Sequence, residues 1–416
     1  MDGVAVLPPA DMAGAALSVS GRVIDFFRHA LPNVAVTIGQ TTVTTDANGQ
    51  FSIPDVRAPY DVSFTLSYQH NNAPAQFGYV YQGLTRTDPT LQTYGGMPEH
   101  SGSLTAVLQN ADFSDGRRRA IFAFGSEYVS FSTELDFDST MFGGSWTGPA
   151  TLTGTAHLLL VSRSDTGGFG LPVAYESQQS SPLGLQDGAT SSAVFDLSPS
   201  PITAATLAGS VSGGDASARA NLVSVRFADG TILPIVDHAP DSPASFSYTV
   251  PVLPQASLSV AAASGVLAPF ALVHVENVAA GAAPLALRIP DPVRLGAPAA
   301  GAVVTPTTPF SWSSSDATLH TFLWHLETAD TLQGIYVITT RTQITLPSFA
   351  DGFLLPPDSE LSWSVETHGN PADVNSATGP NGFLDAFALR DDFPQGLNPS
   401  SGTFTESERR TIRASR

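Results

Sequence analysis

What constrains this chain most is a period of two. Apolar and polar side chains alternate in short runs along its length: Val34-Ala-Val-Thr-Ile38, Val62-Ser-Phe-Thr-Leu66, Val223-Ser-Val-Arg-Phe227, Leu258-Ser-Val260 and Leu361-Ser-Trp-Ser-Val365. An extended run of this kind buries one face and wets the other, because successive side chains leave a strand on opposite sides. The spacing a helix needs, apolar at i, i+3, i+4 and i+7, is nearly missing. Turn formers lie between the runs, and the chain holds 36 Gly and 32 Pro. Short strands separated by turns predict sandwiches or barrels, and 416 residues are too many for one core. The predicted fold class is therefore all-β, a tandem array of about four β-sandwich domains.

A loose repeat sets the divisions. Small strands open at Leu17-Ser-Val-Ser-Gly21, Gly102-Ser-Leu-Thr-Ala106 and Leu207-Ala-Gly-Ser-Val211. Closing runs that begin at Gly83, Gly184 and Gly281 fall roughly a hundred residues apart, the length of a sandwich domain. The predicted plan is a linker over residues 1–16, then sandwiches over 17–97, 98–200, 201–291 and 292–416. The linkers Ser198-Pro-Ser-Pro201 and Pro290-Asp-Pro292 are stiff, since proline fixes φ and restricts the residue before it. Stiff linkers predict domains held as a rigid rod, in a fixed, elongated line with modest interfaces.

Composition removes several function classes. Hydrophobic residues at 42% supply material for cores, while charged residues at 13% are about half the usual share. All 18 basic residues are arginine and the net charge is −19. Without a basic stripe there is no electrostatic footprint for nucleic acid; Arg117-Arg118-Arg119 reads as a solvated strand start. The absence of cysteine excludes disulfides, thiolate metal sites and cysteine nucleophiles. The absence of lysine excludes a lysine Schiff base, a phosphate-binding loop of the Walker type and a Ser–Lys site. Gly143-Gly-Ser-Trp-Thr-Gly148 is not a nucleophile elbow, because its last glycine comes one residue late. No apolar run reaches the roughly 18 residues of a membrane span, so membrane contact is expected only through a removed lipid anchor. Met1-Asp-Gly-Val-Ala-Val-Leu-Pro-Pro has no signal-peptide pattern. A surface built largely from Ser, Thr, Asn, Gln and Gly, together with the absence of cysteine, points to the extracellular space or outer cell surface, with the signal sequence lying outside these residues.

Two stretches carry family resemblance. Val19-Ser-Gly-Arg-Val-Ile-Asp25, Leu31-Pro-Asn-Val-Ala-Val36 and Thr44-Thr-Asp-Ala-Asn-Gly-Gln-Phe51 follow one another, with Ile53 and Tyr60 beyond. Over about residues 17 to 70 this resembles the carboxypeptidase regulatory-like domain, a transthyretin-like β-sandwich. The resemblance implies a module for stability, spacing or binding, without chemistry of its own. Within it, Asp46-Ala-Asn-Gly49 reads as a turn closing a hairpin between Thr42–Thr45 and Gln50–Ile53. Toward the C-terminus, Pro309-Phe-Ser-Trp312, Phe322-Leu-Trp-His-Leu326, Thr342-Gln-Ile-Thr-Leu-Pro347 and Leu361-Ser-Trp-Ser-Val365 resemble strands B, C, E and F of a fibronectin type III-like domain. Ser401-Gly-Thr-Phe-Thr-Glu-Ser407 stands as its final strand, and His368 to Asn398 as an insert that departs from the pattern.

No catalytic residue emerges, and the candidate sites are for binding. Alternation puts Trp324 and Trp363 inward and His325, Glu327, Glu366 and His368 outward. Strands C and F are neighbours in the implied sandwich, so these two imidazoles and two carboxylates are expected to share one outer patch, a donor set that suits zinc or another divalent ion. The alternative is four ordinary polar residues on a wet face. Asp136-Phe-Asp138 puts two carboxylates on one strand face, short of a calcium ligand set. Trp146, in a Gly-rich stretch, is the candidate exposed ligand platform, followed by Tyr79 and Tyr81, whose alternative is an inward stripe. No cofactor is expected other than a divalent ion. The function expected is non-catalytic: an exported or cell-surface protein acting in adhesion, scaffolding or ligand capture, with a protein or polysaccharide partner. The alternatives are a carbohydrate-binding accessory protein of a polysaccharide-handling system, or a hydrolase with its site in a middle domain.

Overall fold

The computed structural model describes residues 16–25, 29–70, 73–93, 100–110, 112–126, 129–135, 139–146, 149–166, 170–198, 200–238, 244–265, 268–314, 318–327, 332–350, 353, 359–380 and 401–415. Among the described residues, strands hold 64% and helix 2%, so the all-β class read from alternation is what forms. Four large core clusters follow one another along the chain, and we number the units by them. The first centres on Val19 to Leu91, the second on Leu104 to Leu197, the third on Leu207 to Ile289 and the fourth on Val293 to Ala414.

Each unit faces two sheets together. In the first, Leu17–Ile24 lies between Gln50–Val56 and Thr90–Gln92. In the second, a sheet of Ser130–Leu135, Arg118–Ser126, Thr151–Arg163 and Pro172–Gln186 faces one of Ser139–Trp146, His100–Gln109 and Thr190–Asp196. Three-stranded sheets around Ala204–Ser212 and Phe310–Ser313 belong to the third and fourth units. Against the small sheets of the first, fourth and third units runs one 14-stranded sheet. Alternation is visible where one face is wet: Gln50–Val56 reads exposed, buried, exposed, buried from its start.

One turn departs from its expected role. Asp46 Oδ1 accepts from the Asn48 and Gln50 amides at 2.8 and 2.9 Å, and Gly49 takes φ of 70°. The strands on either side do not form a hairpin. Thr41–Thr44 pairs with Ala35–Ile38 in the large sheet, whereas Gln50–Val56 pairs with Leu17–Ile24 in the opposing one. The turn carries the chain across the sandwich, and the Gly49 carbonyl accepts from Val23 N at 2.8 Å.

The units are not strung in chain order. Ala73–Leu84 of the first unit pairs in parallel with Leu332–Thr339 of the fourth, from Ala75 opposite Leu332 to Tyr81 opposite Ile338. Phe270–Val278 of the third pairs with Gly402–Glu406, which also pairs with Glu360–His368 of the fourth. The expected final strand is thus a bridge, and the edge it was meant to occupy is shared with Arg410–Ala414. The second and third units interlock differently: Ile121, Ala123, Leu159, Val161 and Tyr175 of the second lie in the third unit's core. Spatial order therefore runs second, third, fourth, first, and the expectation of modest interfaces is corrected, because the third, fourth and first units join by strand pairing.

The seam between the first and fourth units is buried on both faces. On one face Phe64, Tyr79 and Tyr336 stack across three strands with centroids 5.1 Å apart at each step. On the other, Val80 joins the fourth unit's core, and a Cβ at Gly78 would collide with the Phe349 ring. The described part of the segment read as an insert, residues 368–380, clasps the same seam. Its one-turn helix Val374–Ala377, capped by Asp373, places Val374 and Ala377 in the first unit's core. Asn375 Oδ1 accepts from the Thr85 and Arg86 amides at 2.7 and 3.1 Å, and Arg86 Nη1 donates to the Asn375 carbonyl at 2.8 Å.

Truncating a buried aromatic ring costs roughly 3–5 kcal/mol. Tyr336→Ala should therefore lower the urea midpoint of the whole chain, with first-unit and fourth-unit signals falling together. An unchanged midpoint would show that the stacked seam contributes nothing.

Candidate functional site

The C-terminal strands Leu319–Glu327 and Glu360–His368 are neighbours, with Trp324 directly opposite Trp363. Trp312, Trp324 and Trp363 are 5%, 0% and 1% exposed, as their alternation predicts. The register also puts His325, Glu366 and His368 on the face opposite those rings, but it does not bring them together. His325 stands opposite Ser362 and Glu366 opposite Thr321, four residues apart along the strand, or about 13 Å. Nor is that face wet. Glu366 and His368 are 0% and 1% exposed, because Leu319, Leu323 and Tyr336 on the same face pack into the first unit's core with Val374 and Ala377. His325 lies within 3.3 Å of the Tyr336 hydroxyl, and His368 against Thr321 and the Phe404 ring. The Glu327 side chain lies outside the described residues. Among those described, no group of three or more potential metal ligands converges. The expected outer metal patch is corrected to a buried, inter-unit face.

Trp146 is corrected too. It ends the strand Ser139–Trp146, is fully buried, and donates from Nε1 to the Pro149 carbonyl at 2.9 Å. Its ring covers Gly102, where a Cβ would lie 3.3 Å away, so it presents no platform. Tyr79 and Tyr81 are buried as the inward stripe. Asp136 to Asp138 lie outside the described residues.

The structure assembles other polar groups. At the junction of the second and third units, strand Thr151–Arg163 holds His157 between Ala123 and Ser180. The third unit's Arg219–Phe227 and Ile232–His238 form a hairpin whose tip, Ala228 to Thr231, carries Asp229. Gly230 with φ of 88° makes that turn, and it stacks Phe227 on the His157 ring at 3.8 Å. His157 Nε2 lies 2.7 Å from Asp229 Oδ2, and its Nδ1 2.8 Å from Ser180 Oγ. Burial pushes the Asp229 carboxyl up, but hydrogen bonds from His157 and from Thr231 outweigh it and hold the group well below the usual carboxylate range. In the third unit, Ser259 Oγ and Glu276 Oε1 both approach His274 Nε2, at 2.7 and 3.0 Å, with Arg226 Nη1 3.6 Å from Glu276.

The first unit carries a groove of about 750 Å³ lined by hydroxyl, amide and charged groups, among them Ser20, Arg22, Thr44, Asp46, Gln50 and Asp88. The sequence signals for these sites are faint. His157 interrupts the apolar run Ala156 to Leu160, and Asp229 precedes a turn glycine, but 72 residues separate them.

No family model matches the chain, and no curated protein matches it. Among solved structures it is similar to the Bacillus anthracis TIE protein, at 10% identity and TM-score 0.17, over 85% of this chain and 63% of that one. The pilus adhesin SpaC from Lactobacillus rhamnosus GG is 10% identical with TM-score 0.14, over 82% of this chain and 44% of that one. The major pilin subunit BcpA of Bacillus cereus is 8% identical with TM-score 0.13, over 66% and 99%. The chain thus spans less than two thirds of the length of the first two. At these scores the likeness carries no argument.

Buried His320, edge-on to the Trp312 ring, makes a testable contribution. Burial pushes its imidazole down to about 4, below the roughly 6.5 of an unfolded chain. Between those values the unfolded chain binds more protons, so stability rises with pH there. The penalty is absent above about pH 6.5 and grows on acidification to about 3 kcal/mol near pH 4. His320→Gln should flatten the fall in urea midpoint over that window. An identical pH profile in the variant would contradict the assignment.

Proposed function

We propose that this chain is a protein of the outer cell surface, acting in adhesion, scaffolding or ligand capture. The observation that carries the reading is the single sheet running through the third, fourth and first units. Moving one unit against another would break several ladder hydrogen bonds at once, each contributing about 1 kcal/mol, and would expose both faces of the shared strand. A body of that kind presents a surface in a fixed geometry. The acidic surface, with net charge −19, supports the same role, since self-repulsion keeps copies apart. A polysaccharide partner is the second reading, and the hydroxyl-lined groove of the first unit favours it.

Antibody against the purified chain should label intact source cells, and brief protease treatment of those cells should remove the label. Labelling only after permeabilisation would overturn the surface assignment. For the partner, a panel of immobilised polysaccharides should retain the wild-type chain and lose it on Arg22→Ala. Retention unaffected by that change would remove the groove, and with it the second reading.

A further inference from the structure

The trio at the junction of the second and third units fixes its own proton positions. Gln178 Nε2 lies 2.8 Å from Ser180 Oγ, and an amide nitrogen only donates. Ser180 Oγ therefore accepts there and keeps its own proton to give, with His157 Nδ1 2.8 Å away. A carboxylate only accepts, so the neutral ring carries its one proton on Nε2, donating to Asp229 Oδ2 at 2.7 Å, and Nδ1 is left to accept from Ser180 Oγ. A carboxylate on one nitrogen and a hydroxyl on the other make a general base already set in the tautomer it needs.

Placement completes the arrangement. The imidazole is 5% exposed and lies under the Phe227 ring, whereas Ser180 is exposed. The base is thus shielded from water and the hydroxyl open to a reactant. Gln178, two residues before Ser180 and on the same strand face, keeps an N–H beside Oγ, where an attacked carbonyl oxygen would gather charge.

We propose that Ser180 is a nucleophile that accepts the acyl group of an activated carboxylic ester. His157 serves as its base, and Asp229 is the positioning residue. Ser180 Oγ bonds to the carbonyl carbon while its proton passes to His157 Nδ1, and Nε2–H stays on Asp229. The tetrahedral adduct then expels the ester's alkoxide, which takes the proton back from Nδ1. The products are acyl-Ser180 and an alcohol. Water repeating the sequence releases the carboxylic acid. This activity goes beyond the surface role proposed above and does not depend on it.

The test uses the full chain with p-nitrophenyl acetate and, separately, an alkyl fluorophosphonate, read by intact mass and peptide mapping. One adduct per chain on Ser180 is expected, absent from Ser180→Ala. That variant leaves the buried His157 Nδ1 without its hydroxyl partner, so its fold is checked by circular dichroism. Asp229→Asn should slow labelling on the order of 10²-fold or more, with its fold checked by circular dichroism. A folded wild-type chain without an adduct on Ser180 would overturn the proposal and leave the trio as a hydrogen-bonded fastening between units. Equal labelling rates in wild type, Ser180→Ala and Asp229→Asn would overturn it as well.

Discussion

The parallel pairing of Ala73–Leu84 with Leu332–Thr339 is the contact on which the architecture depends. Parallel ladders persist where both faces are covered, and here each face belongs to a different core. Phe77, Tyr79 and Tyr81 enter the first unit's core, while Val80 enters the fourth's. One strand thus completes two sandwiches, and neither closes its core without the other. Chain ends far apart in sequence become neighbours, which fixes the third unit's attachment through Gly402–Glu406 and the clasp at Asn375.

This shared strand also explains what the sequence showed and hid. Local features were legible: strand positions, the Asp46–Gly49 turn and the inward tryptophans follow from alternation and turn chemistry, which act over a few residues. Phe77-Gly-Tyr-Val-Tyr81 is buried at every position, so its alternation gave no sign of which face meets which core. Its partner lies more than 250 residues away, and no local pattern encodes a pairing at that distance.

The candidate sites failed for the same physical reason. Alternation correctly placed His325, Glu366 and His368 on the face away from the tryptophans, but a face turned away from one core is wet only in an isolated sandwich. Here Leu319, Leu323 and Tyr336 on that face serve the first unit's core, so donors expected in water are enclosed. Conversely, the His157 trio draws two residues from adjacent strands and one from a hairpin tip in the next unit. Only tertiary packing brings those together.

The account rests on the seam between first and fourth units behaving as core. Hydrogen–deuterium exchange of the intact chain tests this most directly. Amides in Ala73–Leu84 and Leu332–Thr339 should be protected as strongly as those of the second unit's buried strand Thr151–Arg163, and should lose protection together in denaturant. Rapid exchange along Leu332–Thr339 while Thr151–Arg163 stays protected would contradict the account, because an unpaired edge strand, and not a shared one, would then lie there.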